Sequence, residues 1–175
     1  ALFSQMNLLG SHDTKRIITK LAGAPQPQKR EEQIRLTLSA AERKHGEELV
    51  LAGMLLQLAF PGAMAIYYGD ELGMEGYEDP FNRRTYPWGA PEGDFTARVR
   101  RLIKLRASTP VLQTGFFEVL EADRQTIVMR RYLTERGEDV FGRQVDGPNE
   151  VVVRVTRTKR GATGSIEING EIVYS

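Results

Sequence analysis

An apolar strand, a long capped helix and a second apolar strand follow one another before residue 70, and that succession admits few folds. From Phe3 to Gly10 the residues read as a strand, with Met6, Leu8 and Leu9 apolar. A short helix is expected over 14–22, stopped by Gly23 and the "APQPQ" loop. Ser39 then stands three residues before Glu42, the spacing of a capping box in which each side chain satisfies a backbone donor of the other. Leu49, Ala52, Leu55, Leu56 and Ala59 follow at helical spacing, and Pro61-Gly62 ends the run. Directly after it comes "AMAIYYG", a short apolar run with an isoleucine and two tyrosines, which reads as a fully buried strand. Strand, helix and buried strand in that order mark a βαβ unit with parallel strands.

The next segment, "DELGMEGYEDPFNRRTYPWGAPEGD", has neither helical nor strand period. A structureless stretch of that length inside a compact domain is usually functional. A helix is expected from near Asp94, with Val99, Leu102 and Ile103 on one face. From Thr114 the character turns to all-β, in "FFEVLE", "TIVMRRYL", "EVVVRVT" and "SIEINGEIVY". Asn169-Gly170 is a two-residue hairpin signal, because both positions tolerate positive φ. The change of character places a boundary near 108–114, giving an α/β part over 1–110 and an antiparallel β part over 111–175.

Composition narrows the partners. With 41% hydrophobic and 27% charged residues the chain reads as globular, and a net charge of +1 offers no field for nucleic acid or a membrane surface. The longest apolar run, "LVLAGMLLQLAF", is broken by Gln57 and falls short of the roughly 20 residues that a membrane span needs. There is no cysteine, which excludes disulfides and thiolate metal sites but does not decide the compartment; the cytoplasm is favoured over secretion. Arg98, Arg100, Arg101, Lys104 and Arg106 make the helix after Asp94 basic, and a solvated face is expected. His45 has no partner at metal-ligand spacing and reads as a surface residue, and "RGATG" reads as a turn.

Two polar clusters sit where the parallel strands end: His12-Asp13 after the first, Asp70-Glu71 after the second. Ligand sites of α/β folds gather there, because the loops can vary without disturbing the core. Asp13 could hold negative charge beside a cation-like transition state while His12 donates to a substrate hydroxyl. A carboxylate about 4 Å from a developing positive charge gains roughly 4 kcal/mol at an effective dielectric near 20, on the order of a thousandfold in rate. The plainer alternative is that Asp13 caps a helix beginning near Thr14 and His12 is a satisfied loop residue.

At these residues the sequence resembles the alpha-amylase family of glycoside hydrolases, within it the neopullulanase, cyclomaltodextrinase and maltogenic amylase branch. "NLLGSHDTKRI" is similar to the family's fourth signature region at the end of the seventh barrel strand. "LAFPGAMAIYYGDELGMEG" is similar to the run through the eighth strand, and "DPFNRRTYPW" to the loop beyond it. "RLIKLRASTPVLQTGFFEVL" resembles the last barrel helix running into the β-sandwich called domain C. The fold implied is α/β followed by all-β: the last two strand-helix units of a TIM (β/α)8 barrel plus a small antiparallel β-sandwich.

The resemblance implies roles residue by residue. Asp13 would stabilise the transition state and His12 would orient the sugar at the cleavage point. Asp79 and Arg83 would bind the neighbouring glucose of an α-glucan oligosaccharide, in maltodextrins, cyclodextrins or pullulan. Tyr86 and Trp88 would either offer a stacking surface or pack the loop against the barrel. Asp70 and Glu71 would have a structural place at the strand end. No cofactor is implied; calcium occurs in part of the family, and no ligand set for it can be read here.

Retaining glycosidases of this kind need a nucleophile and an acid/base, two carboxyl groups about 5 Å apart. In the family both come from earlier strands, and neither signature is present. The expectation is a C-terminal piece, inactive alone, whose partners are a missing N-terminal barrel segment and, as in much of this branch, a second copy in a homodimer. Two strands cannot close a barrel, so an open or rearranged layer is expected. The competing class is a non-catalytic carbohydrate-binding or interaction module on an amylase-like barrel.

Overall fold

The computed structural model describes residues 2–25, 27 and 29–175; within the expected "APQPQ" loop, Gln26 and Gln28 lie outside the described residues. After a 3-10 turn at Leu2–Ser4, the elements run β1 (Met6–Leu8), α1 (Ile17–Leu21), α2 (Arg30–Gln33), α3 (Ala40–Ala59) and β2 (Ala63–Ala65). Then come α4 (Asp94–Ser108), α5 (Pro110–Thr114), β3 (Phe116–Ala122), β4 (Thr126–Tyr132), β5 (Glu150–Thr158), β6 (Gly161–Ile168) and β7 (Glu171–Tyr174).

Helix α3 is the axis of the molecule. Its start is the capping box expected from Ser39 and Glu42: Glu42 N donates to Ser39 Oγ (3.3 Å) and Ser39 N donates to Glu42 Oε2 (2.8 Å). Val50, Leu51, Met54, Leu55, Leu58 and Ala59 are all buried, so the helix is covered on more than one side. Strands β1 and β2 pair in parallel beside it, with Met6 opposite Ala63 and Leu8 opposite Ala65, completing the βαβ unit. Gln57, the polar interruption in the apolar run, is buried and donates its amide to Asn7 O (2.7 Å) and Ala65 O (3.1 Å), one group serving both strands. The expected full burial of "AMAIYYG" is not found. Ala63 is exposed and Met64 and Ala65 are half-buried, because among the described residues this sheet has two strands.

The other face of α3 carries a five-stranded antiparallel meander in the order β3-β4-β5-β6-β7. Met129, Val153 and Ile166 stand opposite one another across β4, β5 and β6 and are fully buried. Gly164 on β6 admits no side chain, since a Cβ there would overlap Leu55 Cδ1 of α3. The antiparallel part is therefore one sheet faced by a helix, and α3 takes the place a second sheet would have in a sandwich. Asn169 (φ 48°) and Gly170 (φ 85°) both adopt the positive φ of the expected hairpin turn. The expected turn at "RGATG" sits earlier, at Lys159-Arg160, and Gly161 to Gly164 begin β6.

Two basic residues are not where solvation alone would leave them. Arg106 follows Phe95, Val99 and Leu102 along the buried stripe of α4, and its guanidinium donates to the carbonyls of Leu58 (2.5 Å), Phe60 (3.3 Å) and Gly62 (2.5 Å). Arg131 is fully buried on the inner face of β4 and donates to Ala59 O (3.2 Å), Gly115 O (2.9 Å) and Phe116 O (3.2 Å). Burial lowers both from the usual arginine value, Arg106 to about 10 and Arg131 to about 9, the latter also repelled by Arg106; each stays charged at neutral pH. Arg98 and Arg101 of α4 lie over the Tyr174 ring, 5.6 and 5.8 Å from its centroid. The expected solvated face is found for Arg100, Arg101 and Lys104, which are exposed; Arg98 is half-buried and Arg106 is buried. His45, expected at the surface, is half-buried with Nδ1 3.0 Å from Arg160 O, so it ties α3 to the β5–β6 turn.

Replacing Arg131 by methionine keeps the apolar stem but strips two buried carbonyls and one part-buried carbonyl of this donor. Each buried polar group left unsatisfied costs about 1–3 kcal/mol, and part of that is offset because a charge no longer has to be desolvated. Denaturant unfolding of Arg131→Met should show a net loss of about 2–4 kcal/mol, whereas Arg136→Met, on the connection after β4, should leave stability unchanged.

Candidate active site

The loops that follow β1 and β2 meet over the carboxyl ends of those strands. Beyond β1, Gly10 is buried so closely against the second loop that a Cβ there would come within 2.6 Å of Asp70 Oδ2. The chain then turns outward. His12 Nε2 and Asp13 Oδ1 are 3.2 Å apart, with side chains 62% and 71% exposed. Helix α1 begins only at Ile17, its N-cap position is Arg16, and no side chain caps it. The alternative of Asp13 as a helix cap is therefore removed, and its carboxylate faces solvent beside His12.

Asp70 and Glu71 have the other kind of environment. Asp70 opens a 3-10 turn, Asp70–Leu72, and is buried, its Oδ1 accepting from Arg16 Nη1 at 3.2 Å. The fully buried Arg16 guanidinium also donates to Tyr68 O and lies over the rings of Tyr67 (4.3 Å) and Tyr68 (4.5 Å). Burial pushes the Asp70 carboxyl up to about 6 against the pull of Arg16, and the neighbouring Glu71 adds to the rise. Glu71 accepts the Tyr86 hydroxyl and so raises that phenol above its usual value. The pair anchors the loop and presents no free acid.

The segment after β2 folds back to the first loop. A 3-10 turn at Phe81–Arg83 places Arg83 Nε 2.8 Å from Asp79 Oδ1 and 3.3 Å from His12 O. Asn82, fully buried, donates its Nδ2 to His12 O (2.7 Å) and Thr14 O (2.8 Å). Arg16 N donates to Gly76 O (2.9 Å), and Gly76 N donates to Thr19 Oγ1 (3.0 Å), so a second short stretch grips the same loop further along. The four residues singled out in the sequence, His12, Asp13, Asp79 and Arg83, are thereby joined in one cluster through Arg83. Asn82 and Arg16 were not singled out, and no periodicity marks them. Tyr86 and Trp88 differ in environment. Their rings lie 4.7 Å apart, Tyr86 is half-buried against Glu71, and Trp88 is 85% exposed.

Among the described residues no group of three or more His, Asp or Glu side chains is arranged to hold a metal ion. Among them, too, no helix is long and apolar enough to cross a membrane.

A search of curated proteins finds an amylopullulanase of Thermoanaerobacter thermohydrosulfuricus, 37% identical over 151 residues, spanning 86% of this chain and 10% of that protein. A cyclomaltodextrinase of a Bacillus species is 31% identical over 137 residues, spanning 77% of this chain and 20% of that protein. Among solved structures, the debranching enzyme of Nostoc punctiforme is similar with a TM-score of 0.58 and 32% identity, over 87% of this chain and 24% of that one. The chain belongs to the alpha-amylase family of glycoside hydrolases. Its α/β layer followed by an antiparallel sheet is the arrangement the family resemblance implied. No protein-family model matches the chain, and it spans about a tenth to a fifth of the length of these curated relatives.

Asp70 supplies a pH test of the loop anchor. Its folded value of about 6 lies above the roughly 3.9 of a free aspartate, so the folded chain holds this proton more tightly than the unfolded one. The resulting stabilisation is complete below about pH 4 and is lost as pH rises through about 6. Relative to Asp70→Asn, the native chain should gain about 1–3 kcal/mol between pH 7 and pH 4 in denaturant titrations.

Proposed function

We propose that this chain is part of an enzyme that hydrolyses α-glucosidic bonds in maltodextrins, cyclodextrins or pullulan by a retaining mechanism. In this reading Asp13 is the carboxylate that stabilises an oxocarbenium-like transition state, and His12 donates to a hydroxyl of the same sugar. Asp79 and Arg83 bind the neighbouring glucose. The nucleophile and the acid/base come from the remainder of the polypeptide, and the chain alone is inactive.

The observation that carries the reading is the exposed His12-Asp13 pair at a parallel strand end, joined through Arg83 to Asp79. The Asp13 carboxylate lies against the His12 imidazole on one side and is otherwise exposed, so it can be approached by a cation that forms in the reaction. The relatives named as pullulan- and cyclodextrin-degrading enzymes support the substrate class. Exposed Met6 and Leu8 on β1, and Leu2 in the turn before it, fit further barrel strands laid beside it, which would shelter both that edge and those side chains. We take the division between barrel and β domain near residue 110, just before the short α5 that leads into β3.

The test uses the full-length parent. Asp13→Asn preserves shape and removes the charge, so kcat on maltotriose and cyclodextrin should fall at least about a thousandfold while KM changes little. An inert parent that still binds oligosaccharide would support a binding module in place of an enzyme.

A further inference from the structure

We propose that Asn82 is a positioning residue for Asp13, a role that rests on the functional reading above. The amide Nδ2 of Asn82 donates to His12 O at 2.7 Å and to Thr14 O at 2.8 Å, the carbonyls immediately before and after Asp13. An amide nitrogen carries two hydrogens, and here each has one carbonyl. Two acceptors facing a single group also fix which end of the amide points at the loop, since the oxygen could not take that place. The backbone is therefore pinned on both sides of the Asp13 Cα, while the Asp13 side chain itself stays largely exposed.

Three further observations make the clamp specific. Asn82 is fully buried, so its amide is shielded from water and the two bonds are part-buried although His12 and Thr14 are exposed. Its Oδ1 is buried without a hydrogen-bond partner, so the residue serves this loop through its nitrogen alone. And its own turn is held in place: Gly76 lies so close beneath it that a Cβ there would overlap Phe81 O and come to 3.0 Å from Asn82 Cα. Gly76 in turn accepts from Arg16 N, the residue just before α1. The loop after β2 thus forms a rigid bracket around residues 12–16, and Asn82 is the part of it that touches both neighbours of Asp13. A carboxylate meant to face a short-lived cation must stand where the charge develops before it develops, and small displacements of such groups reduce rate more than binding.

The experiment is a double-mutant cycle in the full-length parent, with Asp13→Asn, Asn82→Ala and the pair, assayed on maltotriose. The expected result for Asn82→Ala is a kcat lowered about 10- to 100-fold with KM changed less than about threefold. In the Asp13→Asn background the same substitution should cost less than about threefold, because a group that acts through Asp13 has nothing left to position. If Asn82→Ala does not fold, Asn82→Asp keeps the volume and replaces the donors; it recovers a donor only when protonated, so its kcat relative to the parent should rise as pH falls. Full activity of Asp13→Asn overturns the functional reading and the positioning role with it. A crippled Asp13→Asn beside an Asn82→Ala that is silent or fully additive overturns the positioning role alone. So does a crystal structure of the Asn82→Ala parent in which residues 11–15 are unmoved.

Discussion

The last carbonyls of α3 and of the turn after it have no helical partner, and the way they are satisfied joins the molecule together. Arg106 reaches them from α4 and Arg131 from β4. Two positive groups at the negative end of a helix are favourable by charge as well as by hydrogen bonding. Because Arg131 also takes Gly115 O and Phe116 O, the same guanidinium fixes where the antiparallel sheet begins relative to the helix. Because Arg106 takes Gly62 O, the other fixes where β2 starts. The parallel strands and the meander are registered against a common point, the C-terminal end of α3.

From that point the site is built outward. The βαβ unit sets the two strand ends side by side, and Gln57 shares one amide between their carbonyls. The ends diverge in chemistry through burial alone. Asp70 faces a buried arginine and becomes an anchor, while Asp13, a few residues beyond its own strand, stays exposed beside His12. Similar side chains after the two strands thus stand in opposite environments.

Much of this was legible in the chain of letters. The Ser39–Glu42 box, the parallel pair around α3 and the Asn169-Gly170 turn follow from local chemistry, and all three are found. Arg106 could have been placed inside, since it continues the spacing of Val99 and Leu102, and Arg131 could have been, since it alternates with Met129. Both were hidden because charge argued for solvent, and only the unsatisfied carbonyls nearby explain the exception. The burial of β2 was overestimated because a run of apolar letters does not say how many strands stand beside it. Asn82 had no signal at all. It sits in a three-residue turn without period, and its partners are backbone atoms 68 and 70 positions away.

The loop that follows one strand acts here as the ceiling of the loop that follows the other. Insertions or exchanges between residues 74 and 90 can shift the backbone of "GSHDT" without altering a letter of it. On the proposed reading, natural variation has there a route to new substrate preferences that leaves Asp13 itself untouched, and comparing sequences by that pentapeptide alone would overlook it.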